Sequence, residues 1–382
     1  MDTIVKLSSF GDTLLGYLLP FLFVLTIVVF IHELGHFLVA RWCGVGIKAF
    51  SIGFGPEIVG FNDRHGTRWK IAWIPLGGYV KFIDDENAAS AGGGRTTLEQ
   101  LTPEERARSF QGKSLAQRAA VVAAGPIANF LLAIVIFTAI FGIFGERITA
   151  AKVDVVNPGS VAERAGFLAG DRVVSIDGSA IESFGEMQRI VGMSPDKPLH
   201  FVVDRSGKTV DITVTPELKE ITDRFGNTMR MGLLGIQRNA APEEWTLQRH
   251  DPVTAFVMAL KETYFVISRS LGYLYDVVTG RESADQLGGP IRIAQVSGQV
   301  ATAGFVALLN LAAIISVSIG LINLFPIPML DGGHLLFYGI EALRGRPLSE
   351  GTQEIGFRIG LAFVLMLMIF ATWNDLIHLK FL

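Results

Sequence analysis

Long apolar runs alternate with polar segments along the chain, and four of the runs are long enough to cross a membrane. A transmembrane helix needs about 20 consecutive, mostly apolar residues. The four candidate spans are residues 14–40, 119–145, 304–323 and 355–373. The pattern therefore predicts a polytopic α-helical membrane protein with about four transmembrane helices.

A fifth apolar run, residues 251–280, is interrupted by charged side chains at Lys261, Glu262 and Arg269. Such interruption is typical of an amphipathic helix that lies on the membrane or against the helix bundle. A buried structural helix fits the pattern nearly as well. On either interpretation, residues 251–280 are not predicted to form a fifth transmembrane helix.

Two polar connections have patterns of their own. Residues 48–62 and 67–83 alternate apolar and polar positions on either side of "DRHG", which predicts a β-hairpin. Residues 84–109 are rich in glycine and then charged, which predicts a linker with a helix start near Thr102. This linker either gates access from the cytoplasm or is simply solvated.

The overall composition agrees with a membrane protein. Of the 382 residues, 50% are hydrophobic and 18% charged, and the mean hydropathy is +0.42. The net charge of −3 provides no concentrated basic surface, so no nucleic-acid partner is expected. Cys43 is the only cysteine, which excludes an internal disulfide and a thiolate metal cluster. No small-residue cleavage site follows the first apolar run, which therefore reads as an uncleaved anchor.

Basic residues in the short loops predict the orientation of the spans. They are Arg41 and Lys48 after the first span, Lys113 and Arg118 before the second, and Arg344 and Arg346 between the third and fourth. Loops rich in Lys and Arg stay in the cytoplasm, so both termini and residues 146–303 are expected outside. The first and third spans then both end at the cytoplasmic face.

The first span contains "HELGH", which places His32, Glu33 and His36 where ionisable groups are costly. Residues four apart lie on one face of a helix, so the two imidazoles can bind one metal ion. Asp331 follows the third span at the same membrane face and adds an oxygen ligand. Three protein ligands leave one position for water, as in catalytic zinc sites. Glu33 would be the general base of a hydrolase.

Less specific explanations exist for both motifs. The polar residues of "HELGH" can also cap a helix or bond to nearby carbonyls, and the ligand set does not exclude another divalent metal. In "NLFPIPMLDGGH", residues 323–334, Pro326 and Pro328 end a helix. They are expected to leave extended backbone, which is tolerated at membrane depth where it lines a cavity. Asn323 could then bind the substrate backbone, while His334 is expected to be structural.

The motifs "HELGH", "GPIAN" at 125–129 and "NLFPIPMLDGGHLLF" at 323–337 resemble the site-2 protease family of intramembrane zinc metalloproteases. Residues 50–82 resemble its bacterial RseP-type branch. The resemblance implies a Zn²⁺ ion held by His32, His36 and Asp331, with Glu33 as the base and Asn323 at the substrate. It also implies that the hairpin dips into the membrane and offers an edge to an extended substrate. A small cytoplasmic sheet is the alternative. The substrate-binding residues expected in these two segments are Gly77, Gly78, Asn323, Pro326 and Pro328.

Residues 147–237 are less apolar than the candidate spans. Their pattern predicts a strand, a short helix from Ser160, a further strand and turn, a second helix and two more strands. "AGFLAGDRVVSIDG" resembles a PDZ domain, and "MGLLGI" comes last, as in the circularly permuted bacterial form. The amides of this loop are expected to bind a C-terminal carboxylate. They belong to Gly232, Leu233, Leu234, Gly235 and Ile236. A spacer or size filter fits nearly as well, and only one such domain is evident where the RseP-type branch has two.

The sequence thus predicts an intramembrane zinc endopeptidase of the bacterial inner membrane. Its expected substrates are single-span membrane proteins already trimmed by another protease, such as an anti-sigma factor or a signal-peptide remnant. Its active site would lie near the cytoplasmic side, its PDZ domain outside, and a monomer is expected in the lipid bilayer. The alternatives are a PDZ-bearing scaffold with a vestigial metal site and a metal-ion transporter. The predicted divisions are residues 1–40, 41–118, 119–145, 146–240, 241–303, 304–334 and 335–382.

Overall fold

The computed structural model describes residues 2–84, 102–222, 228–280, 284 and 288–378. Most of the predicted linker, residues 85–101, lies outside this part. The chain forms two compact units. The first unit combines the N-terminal part, up to Ala139, with the C-terminal part from Pro252 onwards. The second unit is Ile140–Asp251.

Ten α-helices and twelve strands are found in the described residues. The helices are α1 (Asp2–Trp42), α2 (Pro103–Arg108), α3 (Leu115–Ala139), α4 (Val161–Ala165), α5 (Phe184–Gly192), α6 (Pro252–Val278), α7 (Pro290–Ala301), α8 (Phe305–Asn323), α9 (Asp331–Arg344) and α10 (Glu350–His378). The strands are β1 (Ile47–Asn62), β2 (Arg68–Phe82), β3 (Glu146–Ile148), β4 (Val155–Val156), β5 (Arg172–Ile176), β6 (Ser179–Ala180), β7 (Leu199–Arg205), β8 (Lys208–Val214), β9 (Glu217–Thr222), β10 (Thr228–Leu233), β11 (Ile236–Gln237) and β12 (Thr246–Gln248). A π-helical turn, Ile140–Phe144, extends α3, and a 3-10 turn covers Pro242–Glu244.

The prediction of four long apolar helices is confirmed. The segments long and apolar enough to cross a membrane are Leu15–Trp42, Leu115–Phe144, Phe305–Asn323 and Glu350–Ile377, with mean hydropathies between 2.2 and 2.6. The first three pack against one another in the order α1, α3, α8, and α1 also contacts α8. The helices α1, α3 and α8 together position the candidate functional site described below.

Small residues let α1 and α3 approach closely. A Cβ added at Gly35 would lie 2.4 Å from the carbonyl oxygen of Ala124 and 2.7 Å from Cβ of Ala128. Close backbone approach through Gly and Ala is the usual way that transmembrane helices gain packing energy, since lipid provides no hydrophobic drive between them. The "HELGH" glycine is therefore a packing residue.

The remaining connections of the first unit are more helical than the sequence indicates. The fifth apolar run forms α6, which packs against α3 and α8 and whose buried residues include Ala255, Ala259 and Thr263. The helix α7 was not expected within residues 241–303. The connection between the third and fourth apolar helices is also largely helical, because α9 begins at Asp331 and continues to Arg344. The expected helix start near Thr102 is confirmed, with a capping box to Glu105.

The predicted hairpin is present, and its strands pair in two ways. Phe50 faces Val80 in one direction and Trp69 in the other, and Ile52 likewise faces Gly78 and Ile71. The first half of β1 therefore lies between the two halves of β2. No strand of the described chain pairs with the other side of residues 78–80.

Asp63 links the turn of this hairpin to α1 through hydrogen bonds. Its Oδ2 accepts hydrogen bonds from Arg41 Nη1 at 2.9 Å and from Trp69 Nε1 at 3.3 Å, and its Oδ1 accepts from the amides of His65 and Thr67. Burial raises the pKa of the Asp63 carboxyl, but these donors outweigh it and hold the pKa well below its usual value. The ionised carboxylate is thus the form that ties the sheet to the helix.

The second unit is built around a four-stranded antiparallel sheet in the order β6-β5-β7-β8. Ser160 caps α4 as predicted, its hydroxyl accepting from the Glu163 amide at 3.2 Å. Near the end of the unit, β11 pairs with β4. Buried side chains from the sheet and from α5 form its core, among them Val173, Phe184, Met187, Phe201 and Val203.

A buried ion pair links two parts of this unit. The fully buried Asp171 side chain accepts bonds from Arg205 Nε and Nη2, both at 2.7 Å, and from the Leu168 amide at 2.9 Å. Burial raises the pKa of Asp171, but the bonds from Arg205 and Leu168 outweigh it, so the pKa lies below its usual value. A depressed carboxyl pKa stabilises the fold above the unfolded value, about 3.9, and that contribution is lost as the pH falls through the folded pKa.

We expect Asp171→Asn to lower the local free energy of unfolding by about 2–3 kcal/mol at pH 7, because charged hydrogen bonds are lost. The loss should shrink towards pH 3. Hydrogen exchange of β5 and β7 in the intact chain measures it. Asp211→Asn, which changes an exposed carboxylate of the same unit, is the matched control and should have little effect. An equal loss at both pH values would contradict an ionic origin.

Candidate metal centre

Two histidines of α1 face one acidic residue at the start of α9. Nε2 of His32 and Nε2 of His36 are 3.2 Å apart, as the i, i+4 spacing on one helix face requires. Asp331 Oδ2 lies 3.2 Å from the first of these nitrogens and 3.5 Å from the second. One ligand atom from each residue lies within 4.8 Å of the others, a group that could hold a metal ion.

The local backbone explains how Asp331 reaches this point. After Asn323 ends α8, the chain turns, with the amides of Ile327 and Leu330 bonded to carbonyls within the same segment. The expectation of extended backbone here is wrong, because these turns satisfy the amides locally. Asp331 is the first residue of α9, and Gly332 behind it lies so close to the carbonyl of Leu324 that a Cβ would be 2.3 Å from that oxygen.

The helix α3 supports both imidazoles from behind. Nδ1 of His36 lies 2.8 Å from the carbonyl oxygen of Val121. A carbonyl can only accept, so His36 Nδ1 carries the proton and its Nε2 presents a lone pair. On the other imidazole, the amide nitrogen Nδ2 of the fully buried Asn129 side chain lies 3.2 Å from Nδ1 of His32. Groups that bond to the second nitrogen of a ligating histidine set its tautomer and orientation.

Gly125 lies between these two supports on the same face of α3. A Cβ added there would be 2.2 Å from His36 Nε2 and 2.8 Å from His32 Cε1. Only glycine leaves room for both rings at this position. The glycine of "GPIAN" therefore belongs to the site, a role that the sequence alone did not indicate.

The convergent atoms fit a zinc ion. Asp331 Oδ2 lies 3.2 and 3.5 Å from the two Nε2 atoms and is buried without a hydrogen-bond partner among the described residues. A buried carboxylate oxygen of this kind, beside two imidazole nitrogens that can each present a lone pair, is stabilised by a cation. Bonds of about 2.0–2.2 Å in tetrahedral zinc sites place the ligands about 3.3–3.5 Å apart, which matches the observed 3.2–3.5 Å.

Glu33 lies between these ligands and the hairpin. Its carboxylate is within hydrogen-bond reach of the Val80 amide, and its Cγ is 3.0 Å from where a Cβ on Gly78 would be. A carboxylate beside both a metal site and a strand edge can accept a proton from water near that edge. Its position thus suits a general base.

A cavity of about 450 Å³ connects the site to a polar wall. Arg118 and Glu341 lie on this wall. Their side chains are mostly buried, and Nη2 of Arg118 lies 2.6 Å from Oε1 of Glu341. The guanidinium also lies over the ring of Tyr338, 4.9 Å from its centre. In the sequence, Arg118 appears only as part of a basic loop, and no pattern links it to Glu341, 223 positions away, so the pair was not predicted. Other residues lining the cavity include Gly78, Gln111, Asn323, Leu330, His334 and Gln353.

The predicted substrate-binding residues divide into three groups. Asn323 and Gly78 line the cavity with the ligands and Glu33. Gly77, Pro326 and Pro328 are not among the lining residues, and Gly77 packs against the Phe54 ring instead. The loop from Gly232 to Ile236 belongs to the second unit, and its Leu234 is buried in that unit's core.

Comparison with known proteins identifies the class of this site. The family model "Peptidase family M50" matches residues 20–367. The "Putative zinc metalloprotease Atu1380" of Agrobacterium fabrum is 50% identical over 376 residues, covering 98% of this chain and 99% of that protein. "Metalloprotease MmpA" of Caulobacter vibrioides is 40% identical over 381 residues, covering 94% and 95%.

"Regulator of sigma-E protease RseP" of Salmonella typhimurium is 32% identical over 460 aligned positions, covering 95% of this chain and 99% of that protein. Because the alignment is longer than the 382 residues here, the Salmonella protein contains inserted residues. The family match nonetheless extends over most of the chain, including "HELGH" and Asp331. The chain therefore belongs to peptidase family M50, the site-2 protease family, and is a zinc-dependent protease with several membrane-spanning helices.

Proposed function

We propose that this protease cuts peptide bonds within the transmembrane segments of single-span membrane proteins. The observation that carries the proposal is the depth of the site. His32, Glu33 and His36 lie in the second half of the apolar span Leu15–Trp42, beside an edge of β2 that pairs with no other strand of the described chain and could hold a peptide. Ionisable groups at such depth need a function to offset their cost.

His32, His36 and Asp331 would hold the zinc ion, which when bound polarises the scissile carbonyl and activates water. Glu33 accepts the proton of the attacking water and transfers it to the leaving nitrogen. Asn323, on the cavity wall, donates its amide to a carbonyl of the bound peptide. Gly78 leaves the strand edge open at the point nearest Glu33, because it has no side chain.

The substrate would bind as an added strand along residues 78–80. A peptide in a helix hides its carbonyls in hydrogen bonds, so the substrate must unwind locally before it pairs with this edge. Glycine and proline weaken helices by about 1 and 3 kcal/mol relative to alanine. Spans that contain them are therefore the preferred substrates.

The hairpin is proposed to enter the membrane beside the zinc. Side chains on its outer faces are apolar and exposed, with 69% of Trp73 and 63% of Phe61 accessible. A large exposed apolar surface of this kind fits a lipid environment better than water. With the loop charges, this supports an inner-membrane protein whose active site lies near the cytoplasmic side and whose second unit lies outside.

The second unit is proposed to be a circularly permuted PDZ domain. Its support is the order of strands and helices and the loop before β11, where Gly235 has a φ of 83°. The carbonyls of Leu234 and Gly235 accept from the amides of Ala162 and Asn157, which holds the loop in place. The loop would bind a C-terminal carboxylate left by an earlier protease, or the unit would exclude untrimmed substrates by size.

An anti-sigma factor or a signal-peptide remnant is the proposed substrate, cut after prior trimming. The name of the Salmonella relative, a regulator of a sigma factor, favours the first. The enzyme is proposed to act as a monomer, because the ligands, Glu33 and the strand edge all come from one chain.

The test uses purified full-length protein and a single-span reporter without its outer domain. We expect cleavage inside the span, located by mass spectrometry, abolished by a chelator and restored by zinc. The same reporter with a continuous Leu and Ala span should be cut at least about 10-fold more slowly, because its helix resists unwinding. Equal rates for both spans would contradict substrate unwinding.

The two rival functions predict other outcomes. A scaffold with a vestigial site would bind zinc but cut neither this reporter nor a second one. A transporter would move zinc or another divalent ion across proteoliposome membranes, which a flux assay detects. Cleavage confined to loops outside the span would overturn the intramembrane proposal while leaving the protease intact.

A further inference from the structure

Asn129 is a buried polar residue on α3 to which neither the sequence motifs nor the proposed reaction gives a role. Its side chain is fully buried, and its amide nitrogen Nδ2 lies 3.2 Å from Nδ1 of His32. Its Oδ1 has no hydrogen-bond partner among the described residues. A buried amide oxygen without a donor costs free energy, so its position needs an explanation.

The proton on His32 supplies that explanation. Nε2 of His32 faces His36 and Asp331, so it must present its lone pair if a metal binds there. Nδ1 then carries the proton and needs an acceptor. The oxygen and nitrogen of an amide are distinguished only by the hydrogen-bond network around them. Turning the Asn129 amide by half a turn exchanges its two polar atoms: Oδ1 then accepts from Nδ1 of His32, and Nδ2 takes the position that Oδ1 held.

The same helix supports His36 in the same way. Val121 and Asn129 are eight residues apart on α3, about two turns, so they lie on one face of the helix. The Val121 carbonyl accepts from Nδ1 of His36, and Asn129 contacts His32. The order of the two partners is reversed because α1 and α3 run in opposite directions. Gly125 lies midway between Val121 and Asn129 on α3 and leaves room for both imidazole rings. One face of α3 thus provides two acceptors, one for each imidazole.

Asn129 also contacts the helix that leads to the third ligand. Its backbone oxygen accepts a hydrogen bond from Ser316 Oγ on α8 at 2.8 Å, and Gly320 packs against its Cβ. The helix α8 ends at Asn323, eight residues before Asp331. The residue therefore touches both halves of the site, its side chain towards His32 and its backbone towards α8.

We propose that Asn129 is a positioning residue that holds the Nδ1-protonated tautomer of His32 through its side-chain oxygen and thereby sets the affinity for the metal. The proposal rests on His32 being a zinc ligand, as in the proposed function. Partners of this kind, when removed, typically cost 10–100-fold in metal affinity. Aspartate at this position keeps an acceptor, whereas leucine keeps the volume without one.

The experiment measures the affinity of the full-length protein in detergent for zinc, by competition with a chromophoric chelator. Asn129→Leu should weaken zinc binding about 10–100-fold. Asn129→Asp should bind at least as tightly as the wild type, because a carboxylate is the stronger acceptor. The cobalt-loaded forms add a spectroscopic readout, since a reoriented His32 changes the ligand-field bands of Asn129→Leu and not those of Asn129→Asp.

Ser316→Ala is the matched control. It breaks the backbone contact to α8 and leaves the Asn129 side chain in place, so it should lower resistance to denaturant without changing zinc affinity. If Ser316→Ala weakens zinc binding as much as Asn129→Leu, the role of Asn129 is helix packing and the proposal fails. Unchanged affinity in Asn129→Leu, or an equal loss in Asn129→Asp, overturns it as well.

The design keeps this proposal separate from the protease proposal. Should Asn129→Leu fail to fold, the affinity of Asn129→Asp and Ser316→Ala still decides between an acceptor and a packing role. A wild type that binds zinc and cuts no reporter would overturn the proposed function alone. A wild type that binds no zinc would overturn both.

Discussion

Glu33→Gln is expected to abolish cleavage within the membrane span while leaving the zinc ion bound. Glutamine has nearly the volume of glutamate and keeps one oxygen towards the Val80 amide, but it cannot accept the proton of the attacking water. General acid–base catalysis typically contributes 10²–10⁴-fold, so kcat should fall by about that factor. KM should change little, because the strand edge and Asn323 are untouched.

The measurement combines turnover of the single-span reporter with zinc content for wild type and variant. Glu354→Gln makes the same isosteric change on an exposed position of α10, where the carboxylate pairs with Arg358, and should cut normally. Substantial turnover by Glu33→Gln would remove Glu33 from the role of base. Loss of zinc from that variant would make Glu33 a structural support of the site.

The convergence of the ligands follows from sequence because each step depends on local geometry or on chain direction. The i, i+4 spacing places His32 and His36 on one face of a helix whatever surrounds it. Counting spans and loop charges then brings Asp331 to the same membrane face. The prediction that Asp331 lies at the same membrane depth as His32 and His36 depended on the lengths of the spans and not on side-chain packing.

The support by α3 could not be predicted in the same way. This helix is apolar on all sides, so no periodicity shows which face turns towards α1. The Val121 contact uses a backbone carbonyl, which every residue has and no sequence pattern marks. Asn129 and Gly125 stood in a quoted motif, but their role appears only when the rotation of α3 is known.

The helix α9 illustrates a different limit. Gly332 and Gly333 follow Asp331, and in sequence a glycine pair is compatible with a turn because glycine is common where helices end. The structure uses both as close contacts, each facing main-chain oxygens of the preceding segment at distances that exclude a side chain. A glycine chosen for space and one chosen for conformation look alike in sequence. By contrast, the helices α4 and α5 and the strands β5, β7 and β8 of the second unit carry caps or alternation of their own, and they were predicted, whereas β3, β9, β10 and β12 were not.

Gly125→Ala tests the space requirement at the metal site and should have the second largest effect. The added methyl would lie 2.2 Å from His36 Nε2, well inside van der Waals contact and on the nitrogen that faces Asp331. Either the imidazole turns away or α3 moves back from α1, where Gly35 is already in tight contact with Ala124. Both responses separate the ligands, so zinc affinity should fall by at least about 100-fold, and activity with it.

Gly339→Ala is the control, because this glycine lies in α9 with nothing near its missing side chain. Alanine is favoured over glycine in helices by about 1 kcal/mol, so the control should be as stable as the wild type or more so and should bind zinc normally. Zinc titration and denaturant unfolding of both variants separate the two effects. Normal zinc affinity in Gly125→Ala would mean that α1 and α3 can part without cost to the ligands, and the close crossing of these helices would then lose its place in the explanation of the site.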